Sequence, residues 1–290
     1  MARSTGKRRD VRMKQSDFSR IEATAKFIEG SLKGVVKTFP SFGSLSPFHQ
    51  TLLNIKIDRN RYKKSLGAVD WCREHVARLA RKELAAVRRN ESTGQEFLGR
   101  TASYIKRISK DLDFLVEVKE AMRKLPLVED VPTLVVAGFP NVGKSTFVKN
   151  LTGSNIEVRS YPFTTKDIMI GHVMVRHARY QVIDSPGLLE RPMEERNKIE
   201  LQAVAALKHL AKKILFLVDP TQELEPQKKL LGEVAVLFPV EVVVGINKID
   251  TVEDDVADRI EESLAGFRVI RLSANNPEDC RVVFKAVYGV

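Results

Sequence analysis

Two hydrophobic rhythms divide the chain. From residue 16 to about 125 the apolar residues recur at threes, fours and sevens, which is the spacing of one helical face. Over residues 95–124 the stripe is Ile105, Ile108, Leu112, Leu115 and Met122, with Lys106, Arg107 and Lys110 off it. Over residues 61–89 it is Leu66, Val69, Val76, Leu79 and Val87, and Arg78, Arg81, Lys82, Arg88 and Arg89 fall mostly elsewhere. Residues 90–94 read as the turn joining these two long helices, and the proline-containing stretch 39–49 ends an earlier helical segment. Long amphipathic helices with short joins predict an antiparallel bundle with a basic outer face.

After Pro126 the rhythm changes to short β-branched runs at 133–137, 168–175, 181–183, 214–218, 241–246 and 269–272, separated by helical stretches. That alternation predicts an α/β domain with a mostly parallel sheet. The second and third runs are too close for a helix between them, so they should form a hairpin around residues 177–180 and leave one antiparallel edge.

Charge follows the same division. Residues 1–130 carry 28 Lys and Arg against 16 Asp and Glu, net +12, whereas residues 131–290 carry 20 against 21. The whole-chain pI of 9.6 therefore comes from one half, which points that half at a polyanion. Three segments follow: a basic flexible arm at 1–14, a helical bundle at 15–128 and an α/β domain at 129–290. The arm, with Arg3, Lys7, Arg8, Arg9, Arg12 and Lys14, is either a polyanion-binding tail or a solvated one. Cys72 and Cys280 are the only cysteines and lie far apart, which favours neither a disulfide framework nor a metal cluster and fits a reducing, cytoplasmic setting. The apolar runs are too short to span a bilayer, and no apolar segment follows the basic start.

The chemistry is concentrated in the α/β half. Gly138-Phe139-Pro140-Asn141-Val142-Gly143-Lys144-Ser145 fits the phosphate-loop pattern G-x-x-x-x-G-K-[ST], after one strand-like run and before a helix-like stretch containing Thr146. Its glycines let backbone N–H groups face anionic oxygens, Lys144 can neutralise the β- and γ-phosphates, and Ser145 can hold Mg²⁺. Asp184-Ser185-Pro186-Gly187, after the third run, supplies a carboxylate for the Mg²⁺ shell and a backbone N–H for the γ-phosphate. Asn247-Lys248-Ile249-Asp250 selects guanine, whose N1–H and N2 amine can bind one carboxylate bidentately, where adenine has no such pair. In Tyr161-Pro162-Phe163-Thr164-Thr165-Lys166 a threonine should close on Mg²⁺ when a γ-phosphate is present. Thr165 is preferred and Thr164 is the alternative.

These motifs resemble those of guanine-binding P-loop proteins, and the resemblance implies that Asn247 supports the N7 side, that the Lys248 stem covers the base and that the Ala274 N–H in Ser273-Ala274-Asn275 meets guanine O6. The wider match is to the Nog1 family of Obg-related GTPases. It includes Ser46-Pro47-Phe48, Leu52-Leu53-Asn54, Tyr62 and Leu66-Gly67 in the helical half, then Gly171-His172 and the run from Asp184 through Arg196-Asn197, Glu200 and Gln202-Ala203 to His209-Leu210. The resemblance implies a Ras-like GTPase domain binding GTP or GDP with Mg²⁺, acting in large ribosomal subunit assembly and docked on ribosomal RNA through the basic half. Monomer is the expected state, and the short form is similar to archaeal members. Leu188 stands where Ras-like proteins carry a water-orienting glutamine, so Lys144, Thr165 and Gly187 are expected to support only slow hydrolysis. Asn141 matches an asparagine that coordinates K⁺ in some related GTPases, an alternative to a loop-ordering role. Two other readings stay open: a scaffold ordered by bound nucleotide, and a GTPase whose helical half binds a protein or membrane surface.

Overall fold

The computed structural model describes residues 2–153, 156–160, 167–184, 187 and 189–290. Two compact units emerge. The first comprises the chain up to Leu45 together with Lys56–Arg123, and the second comprises Ser46–Ile55 together with Lys124–Val290.

The first unit is a helical bundle of α1 (Ala2–Thr38), α3 (Arg59–Arg88), α4 (Gly94–Arg107) and α5 (Ser109–Arg123), with α3 packed on the other three. Asp58 caps α3 by accepting the Arg61 N–H at 2.6 Å, and Thr93 caps α4 through the Glu96 N–H. The core holds Ile21, Leu32, Tyr62, Val69, Val76, Val87, Phe97, Ile108, Phe114 and Val118. Arg78, Arg81, Lys82, Arg88, Arg89, Lys106, Arg107 and Lys110 are all exposed, as the stripes predict.

Two features differ from the sequence expectation. The helix predicted over 95–124 is two helices, broken at Ile108, whose backbone (φ −96, ψ 5) leaves the helical range. The Ile108 carbonyl accepts the Asp111 and Leu112 N–H groups and restarts the helix one residue later. A one-residue break hardly disturbs a three-four stripe, so periodicity could not register it. The segment set apart as an arm, 1–14, has helical backbone from Ala2 onward as part of α1. Apart from Gly6, its residues are tolerable or good helix formers.

The second unit is a seven-stranded sheet in the order β2-β3-β4-β1-β5-β6-β7, from β1 (Thr133–Ala137), β2 (Ile156–Ser160), β3 (Asp167–Val175), β4 (Ala178–Asp184), β5 (Ala211–Val218), β6 (Val242–Ile246) and β7 (Arg268–Arg271). Strand β3 alone runs against the rest, paired antiparallel to both β2 and β4, while the other pairings are parallel. The β3–β4 hairpin turns on Arg176 and His177, both at positive φ, as a type I′ two-residue turn requires. Strand β2, absent from the expected runs, lies outside β3. Its sequence, Ile156-Glu157-Val158-Arg159-Ser160, has too few apolar residues to stand out from a loop.

Alternation along β1 divides the core. Val135 and Ala137 join the face covered by α7 (Lys198–Leu207), α8 (Leu224–Leu237) and α9 (Asp254–Ser263). Leu134 and Val136 join the face covered by α6 (Lys144–Thr152) and α10 (Pro277–Tyr288). Helix α2 (Pro47–Asn54) packs on α7 within this unit: Phe48 and Leu52, four residues apart on one helical face, are fully buried in the first of these clusters. His49 Nε2 lies 2.9 Å from Pro126 O, and Thr51 Oγ1 lies 3.2 Å from His209 Nε2. Thus the segment Ser46–Ile55, inside the span expected to be bundle, is built into the α/β core.

Candidate nucleotide site

The phosphate loop spans the turn from β1 to α6, with its backbone N–H groups gathered at the N-terminus of α6. Gly138 and Gly143 hold φ 135 and φ 98, and a Cβ would strike Leu217 O at the first and the Asn247 side chain at the second. Only glycine meets both demands. Asn141 sits exposed at φ 65, a left-handed conformation that asparagine tolerates better than most residues. Phe139 and Thr146 are half-buried, Pro140 is exposed and Val142 anchors the loop in the core.

Lys144 is only 4% exposed. Its ammonium donates to Gly138 O (3.0 Å) and Phe139 O (2.7 Å) and pairs with Glu190 Oε1 at 2.9 Å. One residue before Glu190, the Leu189 carbonyl accepts the Gly138 N–H at 3.2 Å. The chain after Asp184 therefore folds back onto the phosphate loop, with a carboxylate on the cation expected to hold phosphate. Glu190 was not foreseen from the sequence, because an isolated glutamate six residues past Asp184 carries no spacing signal.

Ser145 and Asp184 meet, as their separate motifs imply. Ser145 Oγ donates to Asp184 Oδ2 at 2.5 Å. Asp184 is fully buried, and its Oδ1 has no hydrogen-bond partner among the described residues. Burial pushes its carboxyl pKa up, opposed in part by the Ser145 bond and the Lys144 charge. An orphaned, desolvated carboxylate oxygen beside a serine hydroxyl fits a hard divalent cation such as Mg²⁺. Gly187 lies close by in sequence at φ 71. Thr164 and Thr165, like Ser185, Pro186 and Leu188, lie outside the described residues.

At the other end, Asn247 clamps two loops. Its Nδ2 donates to Val142 O at 2.7 Å and its Oδ1 accepts the Ala274 N–H at 2.7 Å. The Ala274 N–H, expected to meet guanine O6, is thus engaged by Asn247, and the loop is further tied by Asn150 Nδ2 to Ala274 O (2.7 Å) and by the Ser273 N–H to Asp279 (2.9 Å). Asp250 is exposed and makes no hydrogen bond or ion pair among the described residues. Its carboxylate is free for a ligand and, being exposed, bears no desolvation penalty until a base covers it. Lys248, at φ 60, sends Nζ to the fully buried Asp219 at 2.6 Å. Asp219 was also missed, although its place directly after the apolar run 214–218, at the carboxyl end of a parallel strand, could have marked it.

A turn-linked glycine loop, a hydrogen-bonded serine–aspartate pair and a free carboxylate on the N-K-x-D loop, all at the carboxyl ends of parallel strands, define a P-loop GTPase domain. Comparison with known proteins agrees. A family model described as the NOG1 N-terminal helical domain matches residues 1–129, and one described as 50S ribosome-binding GTPase matches residues 133–248. A Methanocaldococcus jannaschii protein, MJ1408, is 38% identical over 246 residues, 81% of this chain and 69% of that one. Nucleolar GTP-binding protein 1 of Caenorhabditis elegans is 35% identical over 80% of this chain, which spans only 36% of that protein's length. A crystal structure of nucleolar GTP-binding protein 1 from Plasmodium falciparum superposes with a TM-score of 0.50 at 29% identity, covering 57% of this chain and 89% of that one. The chain belongs to the Nog1 family of GTP-binding proteins.

Proposed function

We propose that this protein is a slow GTPase switch that docks on ribosomal RNA of the large subunit or its precursor through the helical unit and reports its nucleotide state from the second unit. One observation carries the reading: a buried, half-partnered Asp184 bonded to Ser145, a buried phosphate-loop lysine and an unpaired Asp250 carboxylate occupy one unit, while Arg78, Arg81, Lys82, Arg88, Lys106 and Lys110 stand exposed on the helices of the other. The names of the relatives and of the matching GTPase model support the ribosomal target. No helix among the described residues is long and apolar enough to cross a membrane, and the cytoplasmic location in this proposal is supported by the likeness to the Methanocaldococcus jannaschii protein.

In this reading Ser145, Asp184 and Thr165 would hold Mg²⁺, which when bound would neutralise the developing phosphate charge. Lys144 leaves Glu190 and takes the β- and γ-phosphates, and the Gly187 N–H meets the γ-phosphate. Asp250 accepts guanine N1–H and N2–H while the Lys248 stem covers the base. Leu188 brings no polar group to the attacking water, so intrinsic turnover is slow, and a K⁺ ion, which Asn141 would hold, would supply part of the missing charge. The RNA contact is phosphate-dominated and therefore weakens steeply with salt. Single-turnover hydrolysis with and without large ribosomal subunits, in KCl and in NaCl at equal ionic strength, tests both parts. Acceleration by subunits is expected, and greater acceleration in KCl; equal rates in all four conditions contradict the switch reading.

A further inference from the structure

We infer that Asp219 is a positioning residue for guanine nucleotides, acting through its ion pair with Lys248. This rests on the reading that the Lys248 stem covers the base. Asp219 directly follows β5 and is 0% exposed. A buried carboxylate costs several kcal/mol unless its lone pairs are met and its charge is balanced. Here both conditions hold. Oδ2 accepts from Lys248 Nζ (2.6 Å) and Gln222 Nε2 (2.9 Å), and Oδ1 accepts from the Thr221 N–H (2.9 Å) and Oγ1 (2.6 Å). Lys248 is the sole cationic group among these partners. Burial pushes the Asp219 pKa up, but the bonds from Lys248 and Thr221 outweigh it and hold the group below the usual carboxylate range.

The main chain of Asp219 is fixed as firmly as its side chain. The fully buried Gln227 brackets it, accepting the Asp219 N–H at 2.9 Å through Oε1 and donating to the Asp219 carbonyl at 2.9 Å through Nε2. The same Gln227 Nε2 reaches Glu223 O at 3.1 Å, so the turn after β5 cannot shift without breaking several bonds. At the far end of the ion pair, Lys248 holds a left-handed backbone, a conformation unfavourable for lysine, secured by the Thr251 N–H (2.9 Å) and Oγ1 (2.7 Å) on its carbonyl. With the backbone at one end and the ammonium at the other both pinned, the methylene stem between them has little rotamer freedom left. A stem ordered in advance spares the entropy of ordering it when a base binds. Gln222 Nε2 also lies 3.4 Å from Pro140 O, which ties the same cluster to the phosphate loop.

The rival reading is that Asp219 only knits its own turn. A double-mutant cycle on the full chain, measuring GDP affinity with a fluorescent analogue, separates the two. Asp219→Asn, which keeps the shape but removes the charge, is expected to weaken GDP binding about tenfold, as loss of one charged hydrogen bond implies. In the Lys248→Ala background the same substitution should cause no further loss. An equal loss in both backgrounds, or none in the parent, overturns the inference. If Lys248→Ala alone leaves affinity unchanged, the reading that Lys248 covers the base has failed. Lys248→Met keeps the stem and removes only the ammonium, so it reads the same ion pair should Asp219→Asn not fold. A loss of about tenfold is again expected, and undiminished affinity overturns the inference.

Discussion

The two units treat charge in opposite ways. On the helical unit Arg78, Arg81, Lys82, Arg88, Lys106 and Lys110 stand in water off the buried stripes. In the GTPase unit the charges that matter, Lys144, Asp184 and Asp219, are almost wholly buried, and each is held by named partners or conspicuously lacks one. Exposed charges are cheap, act at a distance, are screened by salt and are individually replaceable. Desolvated charges are costly, short-ranged and specific, and removing one leaves its partner stranded. The first arrangement suits a polyanion of irregular shape, and the second suits one small ligand in one pose.

The contrast is broken most directly at Asp250. Asp250→Asn keeps one acceptor for guanine N1–H and turns the other into a donor facing the N2 amine. One lost charged hydrogen bond of about 1.5–3 kcal/mol, with a donor left opposing a donor at a further cost of about 1–3 kcal/mol, should lower GTP affinity by about 10²–10⁴, while xanthosine triphosphate, with a carbonyl in place of that amine, gains. Isothermal titration with both nucleotides measures it.

Asp184→Asn follows. The folded-state pKa of Asp184 is raised, so the nucleotide-free fold penalises its charged form above that pKa and is relieved as the pH falls through it. The amide retains an acceptor for Ser145 and carries no charge. Thermal unfolding without nucleotide should therefore show a higher Tm at neutral pH than the parent, while the Mg²⁺-dependent stabilisation by GTP is lost. A parent-like response to Mg²⁺ and GTP would contradict the proposed metal-holding role of Asp184.

Smaller effects sharpen the picture. Glu190 competes with phosphate for Lys144, so Glu190→Gln should tighten GDP binding by about fivefold, or ~1 kcal/mol, in equilibrium titration. On the helical unit, Lys82→Gln should weaken RNA binding only slightly and lower the salt slope, log Kd against log salt concentration, by about one. A loss as steep as that at Asp250 would mean that the exposed charges are not interchangeable.

Legibility in the sequence follows the same line. Signals tied to a repeating period or a fixed spacing were readable: the helical stripes, the alternating α/β texture, the phosphate loop and the meeting of Ser145 with Asp184 across 39 residues of chain. Features decided by tertiary contact were not. Strand β2 is held by pairing with β3 and has little hydrophobic signature of its own. Helix α2 reads as part of the helical half, yet Phe48 and Leu52 are buried in the GTPase core. Glu190 reaches Lys144 only because the chain after Asp184 folds back, and Asp219 reaches Lys248 only because β5 and β6 are neighbours in the sheet. The resemblance directs the Ala274 N–H to the base, and in the structure that N–H is bonded to Asn247 Oδ1. A motif identifies the residues at a site but leaves open which of them bond to one another before the ligand arrives.

The coupling of the two units is the central claim, and binding of purified large ribosomal subunits to the full chain tests it most directly. Affinity should be at least about tenfold higher with a non-hydrolysable GTP analogue than with GDP, and in both states it should fall steeply as salt rises. Equal affinity in the two nucleotide states, or a dependence on salt that is flat, would contradict it.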